Sequence, residues 1–135
     1  MHYCLMNKIK TPDGTILWCK SAHDYQSHTD NNGEYYMTDG LGWTVRRSVN
    51  KEPYTDLSVW VNADNLVLTE EVRSTPFWKS YGKEGEHYPE SVVLSLQDME
   101  DDHIRAIIET QRHIQESVVE KLIKLEADHR GLFDK

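Results

Sequence analysis

Cysteine is nearly absent: Cys4 and Cys19 are the only two in 135 residues. They show no CxxC or other metal-type spacing, so a disulfide framework or zinc ribbon is not expected and a reduced compartment is. No stretch approaches the roughly 20 apolar residues of a membrane-crossing helix, so no membrane partner is expected. The start, MHYCLMNKIK, has no apolar run of the length a secretory signal needs, which points to the cytoplasm. HExxH, HxH and GxxxxGK[ST] are all missing, and GKEG at 82–85 has neither the spacing nor the following helix of a phosphate loop. Positive charge is in deficit, with a formal net charge of −8, so nonspecific binding to nucleic acid or to an anionic membrane is not expected.

What is present suits one compact domain, 1–135, able to bury a core without staples. Four Trp and seven Tyr argue against general disorder. Residues 6–61 read as strands joined by turns. In KIKTPDGTILWCK, Pro12 presets a turn and Gly14 takes the position needing positive φ, so Lys8–Lys10 and Thr15–Lys20 should pair. Asn32-Gly33 between polar-aromatic runs predicts a second hairpin, with His28 across from Met37 for a two-residue loop or Tyr36 for a three-residue loop. Asp39-Gly40-Leu41-Gly42 predicts a further turn into WTVRRSV, with Trp43, Val45 and Arg47 on one face. Leu57–Val61 alternates as a last strand after a loop around Pro53.

Residues 62–97 are mixed. Asn62-Ala63-Asp64 is positioned to cap a helix over 65–73, although Leu66–Leu68 fits a strand equally well. Residues 79–90 read as a loop and Val92–Leu96 as a short strand. From 98 to 130 the pattern is helical. Asp98, Glu100, Asp101 and Asp102 load negative charge at a helix start. Ile104, Ile107 and Ile108 form one apolar stripe; Ile114, Val118, Leu122, Leu125 and His129 form another. The phase jump between 110 and 115 predicts two helices with a bend near His113, although no Gly or Pro enforces the break and one long helix also fits the pattern; Gly131 supplies the stop. The expected fold is α+β, an N-terminal antiparallel meander of five or six strands packed by two C-terminal helices. Val119 and Ile123 fall partly off the last stripe, which predicts that this helix contributes to a homodimer.

The chemical candidates are sparse. SAHDYQSHTD, residues 21–30, suggests a site built on His23, His28 and Asp30, but on a strand the two histidines oppose each other, and metal needs three convergent ligands. No metal or cofactor is expected. Cys19 lies in an apolar strand pattern, where free Cys packs as a hydrophobe. The basic island Arg46, Arg47 and Lys51, with Tyr36 or Trp43 for stacking, has the makings of an anion or nucleotide site, although adjacent Arg on a strand point to opposite faces and a solvated strand end pairing with the acidic helix start is the simpler reading. The acidic run at 98–102 and exposed aromatics such as Trp60 are candidate contacts for a protein partner.

Two stretches, TPDGTILWCKSAHDYQSHTDNNGEYYMTDG…RRSVNK and VVLSLQDMEDDHIRAIIETQRHI, resemble small proteins of uncharacterised function from large tailed bacteriophages of the T-even type. The similarity spans most of 8–130 and is most specific in LQDMEDDHIRAIIETQ; Leu41-Gly42-Trp43 and the Tyr54–Asn65 segment depart from it. It implies expression in an infected bacterium and a role in host takeover or counter-defence, and it brings no catalytic residue. Three readings follow. The first is a non-enzymatic accessory protein that binds a host or defence protein. The second is a small-ligand binder that sequesters a nucleotide through Arg46, Arg47, Lys51, Tyr36 and Trp43. The third is a hydrolase using His23, His28 and Asp30.

Overall fold

The computed structural model describes residues 1–49, 54–80, 92–111 and 117–132. The fold is α+β, and the chain divides into two compact units, Met1–Asn62 and Ala63–Lys135.

The first unit is built around one long strand, β1 (His2–Lys10). It forms a hairpin with β2 (Ile16–Cys19) in the register Lys10↔Ile16, Lys8↔Trp18 and Asn7↔Cys19, as the turn residues predict. Gly14 takes φ 93 in that turn. On its other edge β1 receives two short strands in succession, β6 (Thr55–Asp56) and β7 (Val59–Asn62). The strand expected over Leu57–Val61 is therefore broken at Leu57-Ser58. There Ser58 turns its hydroxyl to the Lys8 backbone carbonyl, 3.2 Å away.

A second sheet has the order β3 (Tyr25–Thr29), β4 (Tyr35–Leu41), β5 (Thr44–Val49). His28 lies across from Tyr36, and Asp30 N–H bonds Glu34 C=O at 3.0 Å, so the hairpin has the three-residue loop. The turn expected at Asp39–Gly42 is displaced. β4 runs on to Leu41, which pairs Thr44, and only Gly42-Trp43 remain to reverse the chain. The displacement depends on Gly40, which sits inside the strand at φ 92, where a Cβ would stand 2.2 Å from the Thr44 carbonyl oxygen. Only glycine fits there.

Alternation turns Ile9, Leu17 and Tyr36 into a common core, with Tyr54 packed against it. Beside this core lies a polar hub. Asn7 and Thr38 are fully buried, with the Thr38 hydroxyl donating to Asn7 Oδ1 (2.9 Å) and Asn7 Nδ2 to the Gly40 carbonyl (2.9 Å). Arg47 closes the network. Its Nη2 donates to Asn7 Oδ1 (3.0 Å) and Ser58 Oγ (2.6 Å), its Nη1 to Asp56 (2.9 Å) and its Nε to Thr38 Oγ1 (3.3 Å). Four strands, β1, β4, β5 and β6, are thus tied through side chains that would otherwise be costly to bury.

In the second unit the first helix is shorter than expected. α1 (Glu70–Ser74) starts where the Thr69 hydroxyl accepts the Val72 N–H, rather than at Asn62–Asp64, and Leu66–Leu68 is neither helix nor strand. β8 (Trp78–Ser80) pairs β9 (Val92–Leu94), most of the expected 79–90 loop between them lying outside the described residues. A single 3₁₀ turn (Leu96–Asp98) leads into α2 (Asp101–Gln111) and α3 (Val118–Arg130). Ser117, extended and accepting the Glu120 N–H, starts α3 as a separate helix, and Gly131 ends it at φ 71. The bend at His113, like Ile114 itself, lies outside the described residues.

The buried face of α3 is Val118, Leu122, Ile123, Glu126 and Ala127, whereas Leu125 is half-buried and His129 exposed. Ile123 thus belongs to the interior, which removes one ground for expecting a homodimer through this helix. Glu126, with a fully buried side chain, accepts Arg73 Nε (2.7 Å) and Nη2 (3.0 Å) and Arg130 Nε (2.7 Å). Arg130 also donates to the Leu96 and Met99 carbonyls (2.7 Å each) and to Asp101 (2.9 Å). One carboxylate therefore joins α1, α3 and the start of α2.

Candidate functional site

The most distinctive surface of the first unit is the outer face of β3–β4–β5. Strand alternation turns Tyr25, Ser27 and Thr29 outward on β3, Tyr35, Met37 and Asp39 on β4, and Thr44, Arg46 and Ser48 on β5. Register places Tyr35 beside Thr29, Met37 between Ser27 and Ser48, and Asp39 between Tyr25 and Arg46. The two tyrosines reach toward each other along the sheet until their hydroxyls meet at 2.6 Å. That bond raises the Tyr35 phenol above its ordinary pKa, since ionised Tyr35 would lose it as a donor and face Tyr25. Arg46 closes one side, bridging Asp39 at 3.2 Å.

Two tryptophans add exposed area in the same unit. Trp43 sits in the β4–β5 turn, its ring edge-on to Tyr3 with centroids 5.2 Å apart. Gly42 permits that approach, because a Cβ there would stand 3.0 Å from the Tyr3 ring. Trp60 on β7 is exposed.

Among the described residues the expected nucleotide set does not come together. The side chain of Arg46 is 84% exposed and that of Arg47 16%, on opposite sides of β5, and Arg47 spends its donors on the polar hub. Burial works against the Arg47 charge, but Asp56 outweighs it and raises the guanidinium's pKa. Tyr36 is wholly buried in the core and offers no ring face to a ligand. Lys51 lies outside the described residues. The sequence signal for Arg47 and Tyr36 was available in the period-2 pattern, which puts Arg47 in phase with Val45 on the inward face.

The histidine cluster also disperses. His23 is exposed in the turn before β3, and Asp30 Oδ1 accepts the Asn32 and Glu34 N–H groups of its own loop (2.9 Å each). His28 instead meets the first hairpin turn: Nε2 lies 2.7 Å from Asp13 Oδ2 and 3.2 Å from Thr15 Oγ1. Asp13 also accepts the Thr11 hydroxyl; that bond first, then His28, holds its carboxyl far below the usual carboxylate range. Both partners use the same ring nitrogen. A relay needs the acid on one nitrogen and the nucleophile on the other, so this contact pins two hairpins together rather than activating Thr15. Asp13 was missed because its turn role, next to Gly14, masked its second function. Among the described residues no three His, Cys, Asp or Glu side chains converge as metal ligands. Burial pushes the Cys4 thiol up to about 12 and the Cys19 thiol to about 11, which leaves both unreactive.

In the second unit the acidic turn is partly structural. Asp98 accepts the Ser95 hydroxyl (2.7 Å) and Asp101 is held by Arg130, whereas the Asp102 side chain is 94% exposed and bridges Arg105 at 3.2 Å. The Glu100 carbonyl receives the Ile104 N–H, and its side chain is exposed. His103 stands edge-on to Trp78, and burial lowers its pKa despite nearby Glu100. Among the described residues no helix is long and apolar enough to cross a membrane. No protein-family model, curated protein or solved structure matches the chain.

Proposed function

We propose that the chain is a non-enzymatic bacteriophage accessory protein that binds a host or antiviral-defence protein and modulates it, with the outer face of β3–β4–β5 as the contact surface. One observation carries this reading: the hydrogen-bonded pair Tyr25–Tyr35 beside Met37, with Arg46 at the side and Ser and Thr around them. That face holds no Lys and no Glu. Tyr, Met and Arg are enriched at protein interfaces, where Lys and Glu are depleted; Asp39, Ser27 and Ser48, of types also depleted there, complete the face. Tyrosines fixed by a mutual bond present large area at little entropic cost on docking. The phage setting comes from the resemblance in LQDMEDDHIRAIIETQ and the SHTDNNGEYYMTDG stretch.

Capture from infected cells with the whole chain as bait tests it. A protein recovered with the wild type and lost with Tyr25→Ser/Tyr35→Ser, at unchanged circular dichroism, is the expected result. Equal recovery by both, or no reproducible partner, overturns the proposal.

A further inference from the structure

Of the net charge of −8, residues 63–135 carry −7, leaving residues 1–62 almost neutral. Within that near-neutral unit, positive charge is gathered on one sheet face. On β1 and β2, Ile9, Leu17 and Cys19 point inward, so Lys8, Lys10, Ile16 and Trp18 point outward together, with exposed Lys20 just past the end of β2. Lys8 lies directly across from Trp18, and Lys10 across from Ile16. The Lys8 and Lys20 ammonium groups stand 5.0 and 4.7 Å from the centre of the Trp18 ring. Ile16 is 45% exposed beside them.

The pairing of these charges sets them apart. Each described arginine has a carboxylate partner: Arg46 with Asp39, Arg47 with Asp56, Arg73 and Arg130 with Glu126, Arg105 with Asp102. Among the described residues no carboxylate pairs with Lys8, Lys10 or Lys20. Lysines on a strand also discourage edge-to-edge association, but that role asks only for charge. It leaves unexplained why two ammoniums are steered onto one indole beside an exposed isoleucine.

We propose that this face is a second docking surface, taking an acidic protein segment that carries an apolar side chain. Carboxylates would meet the Lys8, Lys10 and Lys20 ammoniums, and the apolar side chain would cover Ile16 and the edge of Trp18. Nucleic acid is the poorer fit. The ammoniums already cover the indole on which a base would stack, and the face has no arginine fork for phosphate. The inference rests on the reading of the chain as a protein binder, but it uses a different face, so the two fail separately.

Fluorescence anisotropy of the full chain with a fluorescein-labelled peptide of Glu-Asp-Leu repeats tests it, with oligothymidylate as the rival probe. Saturable, salt-sensitive peptide binding is expected, weakened about tenfold by Lys8→Gln/Lys20→Gln. Lys8→Arg/Lys20→Arg should retain it, and Lys121→Gln, which removes charge from α3, should leave it unchanged. No binding at millimolar peptide, equal binding by the Gln variant, or tighter binding of oligothymidylate overturns the proposal. Peptide binding lost with Tyr25→Ser/Tyr35→Ser and kept with the lysine variant also overturns it.

Discussion

Glu126→Gln should be among the most damaging conservative substitutions in the second unit. The wild-type carboxylate accepts three charge-assisted hydrogen bonds, two from Arg73 and one from Arg130, with no exposure of its own. Glutamine has nearly the same shape but offers one acceptor oxygen and turns an NH₂ group toward cations. Breaking a buried ion pair by removing one partner costs about 3–5 kcal/mol. Here the arginine side chains are 24% and 17% exposed, and Arg130 keeps Asp101 and two carbonyls. Those contacts let the stranded charges find other partners, which places the expected cost at the lower end, about 3 kcal/mol. For a domain of this size that lowers Tm by roughly 12–24 °C. All three described helices belong to residues 63–135, so circular dichroism at 222 nm under urea or heat reports this unit. The pH dependence supplies a second check. Burial pushes the Glu126 carboxyl up, but the two arginines outweigh it and hold it below its ordinary value of 4.5. A depressed folded pKa means that the stabilisation is complete above the unfolded value and is lost as pH falls through the folded one. The gap between wild type and Glu126→Gln should therefore close below pH 4.5. A neutral-pH cost under about 1 kcal/mol would refute the three-way bridge as a source of stability.

In the first unit, Arg47→Met should cost about 2–3 kcal/mol, because it leaves Asp56 unpaired and strips donors from buried Asn7 and Thr38, while neighbouring Arg46→Ala should stay within about 0.5 kcal/mol. Trp18, Trp43 and Trp60 all lie in this unit, so tryptophan fluorescence in urea distinguishes the two, and equal effects would contradict the hub. Gly40→Ala should destabilise by about 3 kcal/mol or more and Gly14→Ala by about 1–2 kcal/mol. Both glycines have positive φ, but only at Gly40 does a Cβ strike backbone, 2.2 Å from the Thr44 oxygen, and the same urea titration compares them. Mono-, cyclic and dinucleotides at millimolar concentration should leave the melting curve unmoved, since Arg47 and Tyr36 face inward. A concentration-dependent rise in Tm would restore the ligand reading.

Much of the architecture was legible because it rests on local chemistry. Pro12 and Gly14 set the first hairpin, and Asn32-Gly33 the second. The apolar phase jump before Val118 marked two helices, and Gly131 marked the end of the last. Two of the misses share a cause, a long-range contact that decided the local structure, whereas α1 was shortened by the local Thr69 cap. Leu57 and Ser58 read as strand by alternation, yet Ser58 turns to the Lys8 carbonyl and to Arg47 from across the sheet. Asp39–Gly42 read as a turn by glycine content, yet the Gly40 carbonyl accepts Asn7 and its N–H bonds the Asp24 carbonyl, so β4 continues.

Side-chain roles were harder to read than elements, and Arg47 shows why. A charged residue in phase with valines on an edge-flanking strand reads as a surface anion site, because burying a guanidinium is costly unless several partners converge. Those partners are Asn7, Thr38, Asp56 and Ser58, separated by as many as 51 positions in the chain and aligned by no motif. The same logic moved His28 from a supposed cluster with His23 to Asp13, fifteen residues upstream. Polar residues that local pattern nominated for chemistry were taken up as ties between strands. The tyrosines and lysines that local pattern treated as ordinary strand residues were left facing solvent, already held by neighbours at 2.6 Å and at 4.7–5.0 Å. On the proposed reading, recognition is to be sought on the two outer sheet faces, where side chains are held by neighbours without being covered, rather than in the histidines or in Arg47, which the polar hub occupies.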